Sequence, residues 1–337
     1  MARYLLSRVL QALGVIVGVV VLTFVIARLV PGDPAVAYAG PKATPEEIEA
    51  TRVRFGLDEP AWRQFADYVG GILRGDWGTS LHTRSPVLDD LVRVVPTTLV
   101  LVAVALLVAV AVGIPLGVLA ARSRGRFGDL LAKVFAILAV SMPVFWLAIL
   151  LQVVFFSELG LLPAAGQYDQ ALDSTSPLST VVGIPIIDAA LTGNWPVFGS
   201  AAQHMVLPVI AIAAFPLGAC AMVTRGAMLE NLGEEHIRMV RALGFRERSV
   251  LGRFALKPSL SPILALVALL FAYSLTNSFI VESIFNWPGL GSYAIDSIQS
   301  LDVPAILGVT LFVALVYVLL NLAVDVVQAV IDPRVRS

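Results

Sequence analysis

At 337 residues, 58% of them hydrophobic and 14% charged, the chain is too apolar for an ordinary soluble domain, where about a quarter of residues are charged. A formal net charge of −1 excludes bulk attraction of nucleic acid or of an acidic ligand. The single cysteine, Cys220, lies in an apolar run, has no disulfide partner within the chain and reads as a small packing residue.

A helix crosses the bilayer core with about 20 apolar residues, because lipid offers no partner to a free N–H or C=O. Six stretches qualify, so the predicted fold class is all-α, a polytopic membrane protein with six transmembrane helices. The first, residues 9–30, follows Arg3 and Arg8. It is longer than a signal-peptide core of ~7–15 residues and lacks a small-residue cleavage site, so it reads as a retained helix after a cytoplasmic N-terminus.

Residues 31–96 are an external, lid-like loop or a plain solvated connector. Within it, Thr44 and Pro45 open a helix with Glu46, Glu47 and Glu49 in its first turn, which suits the positive end of the helix dipole. A second helix places Trp62, Phe65, Ala66, Val69 and Leu73 on one face. Residues 97–337 hold a five-helix core with spans at 97–121, 130–156, 205–223, 259–281 and 304–330. Pro143, Pro208 and Pro216 predict kinks, not breaks, in the third and fourth spans. Residues 157–203, rich in Pro, Gly, Ser and Thr, read as an irregular outer loop.

Lys and Arg set the orientation, since short cytoplasmic loops hold their excess. With both termini inside, fifteen of the 23 basic residues are cytoplasmic, while the outer loops 157–203 and 282–303 contain none. The long first outer loop, with ten acids and seven bases, says little.

Between spans four and five, residues 224–258 are too polar for lipid. Glu234 and Glu235 start a short helix, Arg238 and Arg241 fall near its end, and Gly244 stands where a left-handed cap is needed. Ile237, Val240 and Leu243 give this helix an apolar edge, and Phe245 exposes an aromatic at the turn. A second helix, 247–256, runs to Pro258 at the membrane. From composition alone, the segment is equally an interfacial helix on lipid headgroups.

Candidates for the pathway are Ser274, Thr276, Asn277 and Ser278 in span five, Asn321 and Asp325 in span six, and Met142 and Gln152 in span three. The alternative for each is packing or hydrogen bonding between helices. Trp287 to Gly291 reads as a tight outer turn, with Trp287 and Gly289 as part of a gate or as an interfacial anchor.

The stretch EEHIRMVRALGFRERSVLGRFALKPSLSPIL resembles the cytoplasmic signature loop of ABC-importer permeases in the dipeptide, oligopeptide and nickel group. Gly244 matches that loop's glycine. Arg238, Met239 and Val240 depart from its Glu-Ala-Ala positions, and Lys257 from its later proline. Further pieces resemble the same group in order: VPGDP at 30–34, FGLDEP at 55–60, LRGDWGTS at 73–80, VPTTL at 95–99, SMPVFWLAILL at 141–151, VESIFNWPGLG at 281–291 and DPRVR at 332–336. The resemblance implies a type I permease fold in a bacterial or archaeal cell membrane. It implies that Glu235, Arg238, Arg241, Ala242, Gly244 and Phe245 couple to an ATPase. It also implies a second homologous permease in a pseudo-two-fold heterodimer, two cytoplasmic ATPase subunits that hold ATP and Mg, and an extracytoplasmic substrate-binding protein. Peptides are the expected cargo, with nickel complexes or oligosaccharides as alternatives. No cofactor or metal is expected on this chain.

The residues agree that the motor is elsewhere. A phosphate-binding loop needs Lys followed by Ser or Thr, whereas Lys42, Lys133 and Lys257 precede Ala, Val and Pro. An ion-coupled carrier would want an intramembrane ionisable cluster, and Asp325 alone qualifies. A membrane enzyme finds no HExxH or GxSxG motif, and His82, His204 and His236 are far apart.

Overall fold

The computed structural model describes residues 2–29, 34–39, 43–54 and 56–331, and these are almost entirely helical. In chain order the helices are α1 (Ala2–Leu29), α2 (Pro34–Ala39), α3 (Pro45–Arg54), α4 (Ala61–Leu73), α5 (Val87–Arg122), α6 (Phe127–Ser141) and α7 (Val144–Leu151). Then come α8 (Leu172–Thr175), α9 (Pro185–Thr192), α10 (Trp195–Gly233), α11 (Glu235–Ala242), α12 (Glu247–Ser249), α13 (Lys257–Ile284), α14 (Leu290–Gln299) and α15 (Val303–Ile331). Wider π-helical turns, Gln152–Glu158 and Val250–Leu256, follow α7 and α12.

Five described helices are long and apolar enough to cross a membrane: Ser7–Ile26, Val87–Arg122, Trp195–Gly233, Glu247–Ile284 and Val303–Leu322. The expected third span is not one kinked helix. It breaks at Met142–Pro143 into Phe127–Ser141 and Val144–Glu158, bent by 103°. Neither half, at about 1.5 Å per residue, crosses a ~30 Å core alone; counted together as one broken span, the pair brings the number to six. The residue before a proline disfavours the helical region, and Met142 is extended at φ −79, ψ 126. Pro208 and Pro216 stay inside α10 because both are buried, and packing around them enforces the helix; Ser141 and Pro143 are exposed.

The chain forms two compact units. The first comprises Met1–Val95 and Tyr293–Leu322. Here α3 opens on a reciprocal cap: the Thr44 N–H donates to Glu47 Oε2 at 2.8 Å, and the Glu47 N–H to Thr44 Oγ1 at 3.3 Å. Helix α4 meets α1 through Phe65 and Tyr68, which pack on Phe24, and Tyr68 Oη lies 3.2 Å from Thr23 Oγ1. The expected α4 face is therefore rotated, and Trp62 and Leu73 stand in the open. The loop before α5 is pinned by two buried carboxylates. Asp302 caps α15 at Ala305 N and accepts from Ser80 Oγ and His82 N; Asp90 accepts from Thr83 Oγ1 and Tyr293 Oη. Burial, and then the Asp90 charge, push the Tyr293 phenol above its ordinary pKa and keep it a donor.

The second unit comprises Pro96–Ser292 and Ala323–Ser337. Helix α10 is its axis. A Cβ at Gly113 or Gly117 of α5 would lie 2.8 Å from the Leu217 carbonyl or 2.6 Å from that of Ala221, so these glycines let two backbones touch. On another side Gly218 sits against the Ala136 carbonyl of α6. In the first turn of α6, Asp129 accepts from Arg225 Nε at 2.7 Å and Nη2 at 3.0 Å, and Lys133 Nζ is 3.1 Å away. Residues 157–203 are more ordered than expected: they hold α8 and α9, and α10 starts at Trp195.

Candidate coupling and gating site

The segment between α10 and α13 is short and mostly helical. Only Glu234 separates α10 from α11, and helical winding resumes at Glu247 and continues to Ile284. The expected stop at Pro258 is absent. Pro258 offers no N–H to the carbonyl four residues back, that of Phe254; the winding there is π-helical, and His236 Nε2 lies 3.5 Å from the Phe254 oxygen.

Helix α11 ends in a two-bond cap. The Gly244 N–H donates to the Arg241 carbonyl at 3.0 Å, the Phe245 N–H to that of Val240 at 3.4 Å, and Gly244 takes φ +78, which favours glycine. Ile237 and Val240 are buried with Met228, Val250, Leu251 and Ala255. Leu243 is not part of that edge: at 67% exposure it joins Met239, at 61%, one turn away on the open face. Glu235, Arg238 and Ala242 are exposed; Arg241 Nη2 donates across the turn to Glu247 Oε1 at 3.0 Å, and Phe245 sets its edge against Phe254. The six coupling candidates thus lie on one element whose other face is fixed to the bundle.

The second cluster sits around the turn after α13. Glu282 is fully buried, and its Oε2 accepts from the Gly291 N–H at 2.6 Å and more weakly from that of Ser292, so this carboxylate caps the start of α14. The Thr98 hydroxyl accepts from Leu290 N at 2.7 Å, joining the VPTTL and WPGLG motifs. A side chain at Gly289 would run into Glu282 and Thr98. Trp287 is 3% exposed and packs among Leu101, Val281 and Phe285, so it is a core residue and not an interfacial anchor.

The remaining pathway candidates do not converge. Gln152 Nε2 donates to the carbonyls of Ala164 and Ile284, which makes it a staple between loops. Asn277, Thr276 and Asn321 each bond the carbonyl one turn back in their own helix, and Ser278 that of Leu275, so the expected bonds between helices are absent from these side chains. Ser274 is buried with no partner for its hydroxyl among the described residues, and Met142 marks the break in span three. The Asp325 side chain, residues 30–33, Phe55 and residues 332–336 lie outside the described residues. Sequence reasoning missed Glu282, Asp302, the Asp129–Arg225 pair and the Asn231–Ser259 contact, because each depends on a partner in a distant segment.

A protein-family model described as "Binding-protein-dependent transport system inner membrane component" matches residues 113–337. The chain belongs to this family. The family's N-terminal model matches residues 1–102, so the two cover nearly the whole permease. The permease is 42% identical over 321 residues to the probable D,D-dipeptide transport system permease protein DdpB of Escherichia coli, covering 95% of this chain and 94% of that protein. It is 36% identical to the dipeptide transport system permease protein DppB of Alkalihalophilus pseudofirmus over 336 residues and all of both chains. To DppB of Escherichia coli it is 36% identical over 339 residues, all of this chain and 99% of the other. The permease is thus a multi-pass membrane subunit of an ATP-driven importer, a transport component and not itself an enzyme, and the family implies ATPase and binding-protein partners.

Proposed function

We propose that this chain forms half of the pore of a dipeptide importer in a bacterial or archaeal cell membrane, with both termini in the cytoplasm. Separate subunits bind ATP and Mg. A second homologous permease completes the pore as a pseudo-two-fold pair, two ATPases dock on the cytoplasmic face, and an external binding protein delivers the peptide. The absence of Lys and Arg from the outer loops 157–203 and 282–303 supports this orientation. Dipeptide-permease relatives over their full length support the cargo.

One observation carries the mechanism: α11 is bound on one face to the ends of two long helices and presents Met239, Leu243 and Phe245 on the other. An ATPase surface closing on that open face moves α10 and α13 as levers, and the bundle alternates between outward and inward access. Glu235, Arg238, Arg241 and Ala242 surround the apolar contact, and the Gly244 cap fixes its angle. At the outer end, Glu282, Gly289 and Trp287 hold the turn that gates the pore; Ser274 and Asn277 on α13 are the pathway residues, and Met142 and Gln152 support it from the broken third span. The test is dipeptide uptake into vesicles carrying the full complex. Uptake that requires ATP and both partner classes supports the reading, and accumulation by this chain alone contradicts it.

A further inference from the structure

An open depression of about 930 Å³ lies on the second unit, between the turn after the π-helical segment 152–158, the start of α10 and the turn at Asn286–Pro288. Its size is that of a small-molecule site, commonly about 300–1,000 Å³. Ser200 organises its two chemically distinctive groups. The Ser200 carbonyl lies 2.8 Å from His204 Nδ1, and the Ser200 hydroxyl accepts the Asp169 N–H at 2.9 Å.

A carbonyl can only accept, so His204 Nδ1 carries the proton, and in the neutral ring Nε2 is left as an acceptor. Asp169 Oδ1 is taken by the Ala171 N–H, while Oδ2 has no partner among the described residues. Two acceptor-bearing residues, one of them charged, therefore line a space whose described lining contains no Lys or Arg. Gln167, Gln203 and Asn286 add amides that can meet a peptide bond, and Leu161 adds an apolar wall.

We propose that this depression is an outer receiving site for short peptides, holding the peptide's α-ammonium group between the Asp169 carboxylate and the His204 imidazole. The inference rests on the importer reading and its orientation. It adds a selection for a free amino terminus made by the permease itself.

The test uses the complex with its ATPases, in vesicles without the external binding protein, so no other receptor competes. A cysteine at the rim, Gln170→Cys, is labelled from outside with a maleimide; Cys220 is fully buried. Leu191→Cys, exposed in the same outer region, reports general changes in reactivity. Alanyl-alanine should slow labelling at 170 and not at 191. N-acetyl-alanyl-alanine should need about tenfold or more concentration for equal protection, the worth of one charge-assisted hydrogen bond. Asp169→Asn should abolish that difference, and Asp169→Glu should keep most of it. Equal protection by both peptides, or none by either, overturns the site. Dipeptide uptake by the same vesicles, once the binding protein is added, decides the importer reading separately.

Discussion

Asn231, near the end of α10, donates from Nδ2 to the Ser259 hydroxyl at 2.8 Å, and Ser259 in turn donates to the Ala255 carbonyl. This chain of two bonds ties the end of α10 to the start of α13 beside α11. Ser259 is buried, so Ser259→Ala leaves the Asn231 amide short of a partner, at a cost of about 1–3 kcal/mol. The expected outcome is a complex that still hydrolyses ATP but moves less peptide per ATP, measured by parallel phosphate release and uptake.

Arg241 and Glu247 give a second prediction, because they face each other across the Gly244 turn. Arg241→Glu sets two carboxylates together and should reduce uptake strongly. The exchanged pair, Arg241→Glu with Glu247→Arg, restores the bridge. If Arg241 serves only the turn, uptake in the exchanged variant returns to near the unmodified level; if it also meets the ATPase, uptake stays low while the folded complex is recovered.

How far such features can be read from sequence depends on the range of the contact. The Gly244 cap was legible because it is built from six consecutive residues, Val240 to Phe245, with a known dihedral requirement. The apolar spans were legible because lipid imposes length and composition. The break at Pro143 was not, since Pro208 and Pro216 look alike in sequence and differ only in how tightly the surroundings hold the helix. Spacing puts Leu243 on the buried edge, yet the early end of α11 turns it outward beside Met239. Glu282 stood inside a recognised motif, but its capping role needs the turn to fold back nine residues later.

Gly117 and Gly226 separate close packing from mere helical glycine. A Cβ at Gly117 would sit 2.6 Å from the Ala221 carbonyl and from Thr224 Cβ, whereas one at Gly226 meets nothing within 4 Å. Gly117→Ala should destabilise by about 1–3 kcal/mol through overpacking. Gly226→Ala should be neutral or slightly stabilising, because alanine is the better helix former. Thermal denaturation of the purified complex, with Cys220 as a buried reporter thiol, compares the two.

The Glu282 cap predicts an ordering of substitutions. Glu282→Gln keeps an acceptor for the Gly291 N–H and should retain much of the uptake. Glu282→Ala orphans that donor and opens a void, and Gly289→Ala drives a methyl into the carboxylate; both should sharply lower uptake. Equal activity for all three would remove the cap from the gate.

The central claim is that the open face of α11 is where the ATPase holds this subunit. Burying Met239 and Leu243 in an interface is worth about 1.5–3 kcal/mol each, so the variant Met239→Asp with Leu243→Asp should weaken ATPase association by a hundredfold or more. The decisive measurement is the ratio of ATPase to permease after affinity purification from membranes. The account predicts that the ATPase is lost and the permease recovered at its usual level; ATPase retained at the unmodified ratio, with uptake intact, would contradict it.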